Sequence, residues 1–98
     1  MVMKKQYTII IKKSAEKSLH RISQPRILEA VLERIASLAV DPRPADCKEL
    51  KTKKEPILYR ISVGDYRIVY IIRDSELVIL VIRVGHRKDV YRDLKSIL

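Results

Sequence analysis

Four arginines carry the first chemical signal in this chain. Arg60, Arg67, Arg83 and Arg87 fall within LYRISVGDYRIVYIIRDSELVILVIRVGHR, the stretch from Leu58 to Arg87, which otherwise reads as apolar strands. A guanidinium stays charged at any working pH, and its planar fork matches the oxygens of a phosphate. Several of them near the ends of adjacent strands make a clamp for a phosphodiester. Such a clamp also stabilises charge that builds on a pentavalent phosphorus. His86 and Tyr91 lie beside them in sequence. Histidine passes protons near neutral pH, and tyrosine stacks on a base or hydrogen-bonds a phosphate. Upstream, Lys48, Lys51, Lys53 and Lys54 form a lysine-rich segment suited to a nucleic-acid backbone.

Each of these residues also has a plainer use. Arg60 and Arg67 can pair with Asp65 or Glu55 as surface bridges, and Arg73 reads as a solvated residue. A lone histidine such as His86 is more often structural, as His20 is on its helix. Tyr91 can serve simply to pack a last helix, and the lysines of 48–54 to solvate a loop. Two histidines far apart and no carboxylate cluster give no metal site, and nothing in the pattern calls for a cofactor.

The elements that must position these groups fit one domain spanning residues 1–98. The composition is 47% hydrophobic and 34% charged, too apolar for a disordered chain. The net charge of +9 points to anionic partners and is shared almost evenly by the two halves of the chain. A single cysteine, Cys47, excludes an internal disulfide and fits a reducing cytoplasm. There is neither a signal-like apolar segment nor a run long enough to span a membrane.

QYTIII, bracketed by lysines, predicts a strand at about 5–11. KKSAEKSLHRI predicts a helix capped by Ser14, with Ala15, Leu19 and Ile22 on one side. A second helix starts at Pro25, carries the stripe Ile27, Leu28, Val31, Leu32, Ile35 and Leu38, and stops at Asp41-Pro42. A short strand is expected at 47–50. After Pro56 the period becomes two, and Gly64-Asp65 suits a two-residue hairpin loop. That loop pairs Ser62 with Arg67, Arg60 with Val69 and Tyr59 with Tyr70. Ile57, Tyr59, Ile61, Val63, Tyr66, Ile68, Tyr70 and Ile72 then share one face, which must meet the helices. Arg60, Ser62, Arg67 and Arg73 take the other, with Leu58, Val69 and Ile71. A three-residue turn at Asp74-Ser75-Glu76 brings Arg83 to this arginine face, where its guanidinium escapes burial. The chain closes in a terminal helix with Val90, Leu94 and Ile97 at its apolar positions. The fold class is α+β, ordered β-α-α-β-β-β-α, with a twisted, mainly antiparallel sheet and a helical hairpin on one face.

KELKTKKEPILYRISVGDYRIVY followed by LVILVIRVGHRKDVYRDL resembles the RelE/ParE toxin superfamily. The resemblance runs from Lys48 to about Leu94, and the preceding β-α-α order agrees with it. It implies a toxin of a type II toxin–antitoxin pair, held by a cognate antitoxin that wraps around it and that alone brings it to operator DNA. RelE-like members cleave mRNA in the ribosomal A site by attack of the 2′-hydroxyl on the adjacent phosphate. ParE-like members inhibit DNA gyrase. The RVGHRKDVY ending is more similar to the endoribonuclease branch. By that likeness Arg67 and Arg87 hold the scissile phosphate, Tyr91 contacts the nucleotide, and Lys48, Lys51, Lys53 and Lys54 meet RNA or ribosome. Arg60 and Ser62 stand where the best-known members carry lysines. An arginine does not readily give up its proton, so His86, a lysine among 51, 53 and 54, or a ribosomal or substrate group becomes the candidate base. An inactive relative that binds antitoxin is the remaining alternative.

Overall fold

The computed structural model describes residues 6–50 and 55–92. Seven elements follow in the order β1 (Thr8–Ile11), α1 (Lys13–His20), α2 (Pro25–Ser37), β2 (Lys48–Leu50), β3 (Leu58–Val63), β4 (Tyr66–Arg73) and β5 (Val78–His86). The strands form one sheet ordered β1-β5-β4-β3-β2. Only β1 and β5 run parallel. No helix among the described residues is long and apolar enough to cross a membrane.

The helices cover one face of this sheet. Ala15, Leu19 and Ile22 from the first helical segment and Val31, Ile35 and Leu38 from the second meet Tyr59, Ile61, Ile68, Tyr70, Ile79, Val81 and Val84. Most are wholly buried, and each buried Val, Leu or Ile among them stabilises the fold by about 1.5–3 kcal/mol. Leu32 departs from the expected stripe: it is 43% exposed, because α2 turns only its Val31–Ile35 side to the sheet. Ile57 precedes β3 and is likewise exposed.

The β3–β4 hairpin has the expected register: Ser62 faces Arg67, Arg60 faces Val69, and Tyr59 faces Tyr70. Gly64 supports it by taking φ +56, a region that costs an L side chain energy. Tyr59 and Tyr70 stack with ring centroids 5.8 Å apart, and the Tyr70 hydroxyl donates to the Pro42 carbonyl at 2.7 Å.

Three expectations need correction. Ser14 does not cap α1. The cap position is Lys12, whose amide still bonds the Val81 carbonyl as the last rung of the sheet, so the helix begins two residues earlier. The Ser14 hydroxyl instead donates to the Ile82 carbonyl at 3.1 Å, tying α1 to β5. The β4–β5 turn spans Asp74 to Leu77, four residues rather than three, with Leu77 at φ +54. An extra residue would move Arg83 to the helix face, but a bulge between Val69 and Tyr70 takes up Ile82 and returns Arg83 to register with Val69. Finally, residues 87–92 form turns. Leu94 and Ile97 of the expected terminal helix lie outside the described residues.

A polar clamp closes the far end of the sheet. The Tyr7 hydroxyl donates to Asp74 Oδ1 at 2.6 Å, and Arg43 Nη2 donates to Asp74 Oδ2 at 2.9 Å. Arg43 also lies over the Tyr59 ring, 5.5 Å from its centroid. Arg43 first, then Tyr7, hold the Asp74 carboxyl below its usual range. A depressed folded-state value stabilises the protein above the unfolded carboxyl pKa, about 3.9, and that contribution is lost as pH falls through the folded value. Asp74→Asn is expected to lower the urea midpoint near pH 6. The gap between variant and parent should close as both are acidified below the carboxylate range, in a urea series run against pH.

Candidate phosphate-binding site

The register of the sheet sets out the basic residues in rows. Lys48, Arg60, Val69 and Arg83 stand abreast across β2, β3, β4 and β5. In the next row of the same face come Ser62, Arg67 and Gly85. Arg67 therefore has Arg60 and Arg83 as its two diagonal neighbours, a separation that long side chains bridge. Arg87 follows Gly85 by two residues. Its amide donates to the Asp65 carbonyl at 2.7 Å, and its Nε lies 3.6 Å from Asp65 Oδ1 in an exposed pair.

Hydrogen bonds aim two of these groups. Arg67 Nη1 donates to the Gly64 and Tyr66 carbonyls at 2.9 and 3.0 Å, so its head rests on the hairpin turn with other N–H groups to spare. Arg60 Nη1 donates to Ser62 Oγ at 3.2 Å. Both arginines are half-buried. Among the described residues no carboxylate pairs with Arg60, Arg67 or Arg83. The face thus presents several guanidiniums around Arg67 with the Asp65 carboxylate at its edge.

Tyr91 belongs to the turn that follows β5. Its neighbour Val90 is buried against Gly85, where an added Cβ would lie 3.5 Å from Val90. Asp89 and Val90 both bond the His86 carbonyl, at 2.8 and 2.9 Å. Val90 joins Leu58, Val69, Ile71 and Ile82 in a second apolar cluster, on the arginine side of the sheet. This anchoring leaves Tyr91, 40% exposed, at the margin of that face.

His86 lies outside the rows of Arg60, Arg67 and Arg83, though it lines one cleft with Arg21 and Arg83. It pairs in register with Tyr66, whose ring packs on the helix side, and the two rings meet edge to face at 6.0 Å. Its Nδ1 accepts the Lys88 amide at 3.2 Å, which occupies the lone pair a base would use. Lys51, Lys53 and Lys54 lie outside the described residues. Lys48 is exposed at the edge of the arginine row. Sequence reasoning overlooked Arg21 and Arg26, which share with His86 a cleft of about 590 Å³ beside the hairpin turn. Arg21 follows the apolar side of α1 and Arg26 sits in the first turn of α2, and nothing in the sequence signals that the two meet. No group of histidine, cysteine and acidic residues among those described is arranged to hold a metal ion.

A small mixed sheet with helices on one face is also the fold of solved RelE toxin–antitoxin complexes. The family model described as the ParE toxin of type II toxin–antitoxin system, parDE, matches residues 9–91, and the chain belongs to this family. It is 33% identical over 86 residues to Toxin RelG of Mycobacterium tuberculosis, covering 88% of this chain and 97% of that protein. Among solved structures, the RelBE2 toxin–antitoxin complex of M. tuberculosis matches with a TM-score of 0.72 at 32% identity, over 86% of this chain and 94% of that one. The RelE–RelB complex of Pyrococcus horikoshii OT3 matches with a TM-score of 0.73 at 26% identity, over 87% and 99%. The protein is a type II toxin of the RelE/ParE superfamily.

Val90 ties the last turn to this site, so Val90→Ala is expected to cost about 1.5–3 kcal/mol, from two lost buried methyls and the space they leave. A urea melt measures the loss. Hydrogen exchange should show faster opening of the Asp89 and Val90 amides while the β4 amides stay protected.

Proposed function

We propose that this toxin is a ribosome-dependent endoribonuclease. The observation that carries the reading is the placement of Arg67 between Arg60 and Arg83, with Arg87 at the same hairpin turn. In the reaction the 2′-hydroxyl of one nucleotide attacks the adjacent phosphorus. A 2′,3′-cyclic phosphate forms, the bond to the 5′-oxygen breaks, and that oxygen takes up a proton, balancing the one lost by the 2′-hydroxyl, to leave as a 5′-hydroxyl. Arg67 and Arg87 hold the non-bridging oxygens and stabilise the added charge of the phosphorane. Arg60 and Arg83 add to the positive potential from either side, and Tyr91 supports the base next to the scissile bond.

The proton of the 2′-hydroxyl needs an acceptor. The arginines do not take it, and His86 has its Nδ1 engaged by the Lys88 amide. On this reading the acceptor comes from the lysines at 51, 53 and 54 or from the ribosome-bound substrate itself. The second source explains why such a site would work only on translated mRNA. An antitoxin partner is inferred from the RelBE2 and RelE–RelB relatives, which were solved as toxin–antitoxin complexes. Its acidic segments would neutralise the arginine face, and operator DNA would be reached through it alone. The cytoplasm, where ribosomes are, is the matching compartment.

The family description by ParE supports a second reading, inhibition of DNA gyrase without RNA cleavage. Expression without antitoxin separates the two. Cleaved transcripts mapped on stalled ribosomes are the expected result, and intact transcripts with altered plasmid supercoiling would select the gyrase reading. Arg67→Ala and Arg87→Ala are each expected to lower cleavage about 10²–10³-fold and to relieve growth arrest. Unchanged toxicity in both would refute the assignment.

A further inference from the structure

The ten arginines of this chain divide by what they touch. Arg34, Arg43, Arg73, Arg87 and Arg92 each pair with a carboxylate. Arg60 and Arg67 donate to protein oxygens. Arg21, Arg26 and Arg83 have no side-chain partner among the described residues. These three come from α1's end, from α2 and from β5, yet all line one connected groove. Arg21 and Arg26 line the cleft of about 590 Å³, and Arg21 and Arg83 line a smaller one of about 250 Å³. Ile22, Tyr66 and His86 border both, which makes the two clefts continuous. The acids along the way are Asp65, engaged with Arg87, and Asp89, engaged with Arg92.

We propose that this groove is a second RNA subsite, carrying the strand that flanks the scissile phosphate around the end of the sheet. The proposal rests on the nuclease reading. Unpaired guanidiniums are costly to hold near one another and gain most from an anion they can fork. Gly64 and Asp65 form one wall of the groove, and on their other side the Gly64 carbonyl receives Arg67. A strand with one phosphate at Arg67 and Arg87 therefore needs only to pass the hairpin turn to enter the groove. There Tyr66 and His86 offer aromatic surface for a base, with arginine heads for its phosphates. Three elements contribute cations along a path, which suits an extended polyanion better than a single small anion. The position beside the proposed cleavage site favours RNA over an acidic peptide.

The test uses a short, fluorescein-labelled 2′-O-methyl RNA, which lacks the attacking hydroxyl and stays intact. Binding to the full-length protein is followed by anisotropy across a salt series. Arg21→Ala/Arg26→Ala is expected to weaken binding and to reduce the slope of log K against log salt by about 1.4, about 0.7 for each lost phosphate contact. Both residues are exposed and have no side-chain partner among the described residues, so an unchanged circular-dichroism melt is expected alongside. Lys13→Ala/Lys17→Ala, equal in charge and also exposed, should leave the slope close to the parent's. Equal effects of the two double variants would mean general electrostatics and overturn the groove. So would an unaltered slope in Arg21→Ala/Arg26→Ala while Arg67→Ala still abolishes cleavage, an outcome that leaves the nuclease reading standing. Loss of affinity for a glutamate-rich peptide with RNA binding intact would assign the groove to protein and also overturn the proposal. Should Arg67→Ala and Arg87→Ala both stay toxic, the nuclease reading itself has failed, whatever the groove variants do.

Discussion

The alternation of β3 and β4 about a two-residue turn is the constraint from which the site follows. Burying Tyr59, Ile61, Ile68 and Tyr70 under the helices leaves Arg60, Ser62 and Arg67 no choice of side. The bulge in β5 extends the same rule to Arg83. Cations gathered in this way repel, but across water two charges 4 Å apart cost only about 1 kcal/mol. The apolar residues between them contribute more. Val69, Ile71 and Ile82 are buried on that same side, each worth about 1.5–3 kcal/mol. The sheet can therefore carry unneutralised charge without losing its core.

What an arginine does here is decided by its partner rather than its position. The paired ones fasten elements: Arg43 joins the segment after α2 to the β4–β5 turn, and Arg34 bridges to Asp46. Exposed pairs of this kind contribute little one by one. The clamp around Asp74 differs in that Tyr7 and Arg43 meet at one carboxylate while Arg43 also lies over the Tyr59 ring. At the opposite end of the sheet Asp65 pairs with Arg87 and Asp89 with Arg92, while Arg60, Arg67 and Arg83 have no carboxylate partner among the described residues.

The hairpin was legible because a Gly-Asp loop between alternating strands leaves one register that buries a continuous apolar face. The side of Arg83 was reached for an incomplete reason. A longer turn and a bulge shift the pairing in opposite senses, and period-two counting sees neither. His86 ends β5 opposite Tyr66 whereas Arg87 belongs to the turn that follows, so closeness in sequence did not show where each is placed. Arg43, Asp74 and Tyr7 are separated by 31 and 67 positions, so only the folded chain brings them together. The same holds for Arg21 and Arg26, whose places on α1's end and α2 become informative once the hairpin turn is packed beside them.

Arg60 and Ser62 bear most directly on chemistry. Where the resemblance leads one to look for lysines, this chain has a cation that keeps its proton and a hydroxyl that carries no charge. Arg60 is also committed in part to Ser62. The arginine face is consequently a stabiliser of negative charge and a poor remover of protons. For RNA cleavage such a face lowers the barrier at the phosphorus but leaves the nucleophile to be activated from elsewhere. For neutralisation by an acidic partner it needs no second function at all. On the proposed reading the same charge would hold a phosphorane and attract an acidic antitoxin, so a change that weakens one is expected to loosen the other.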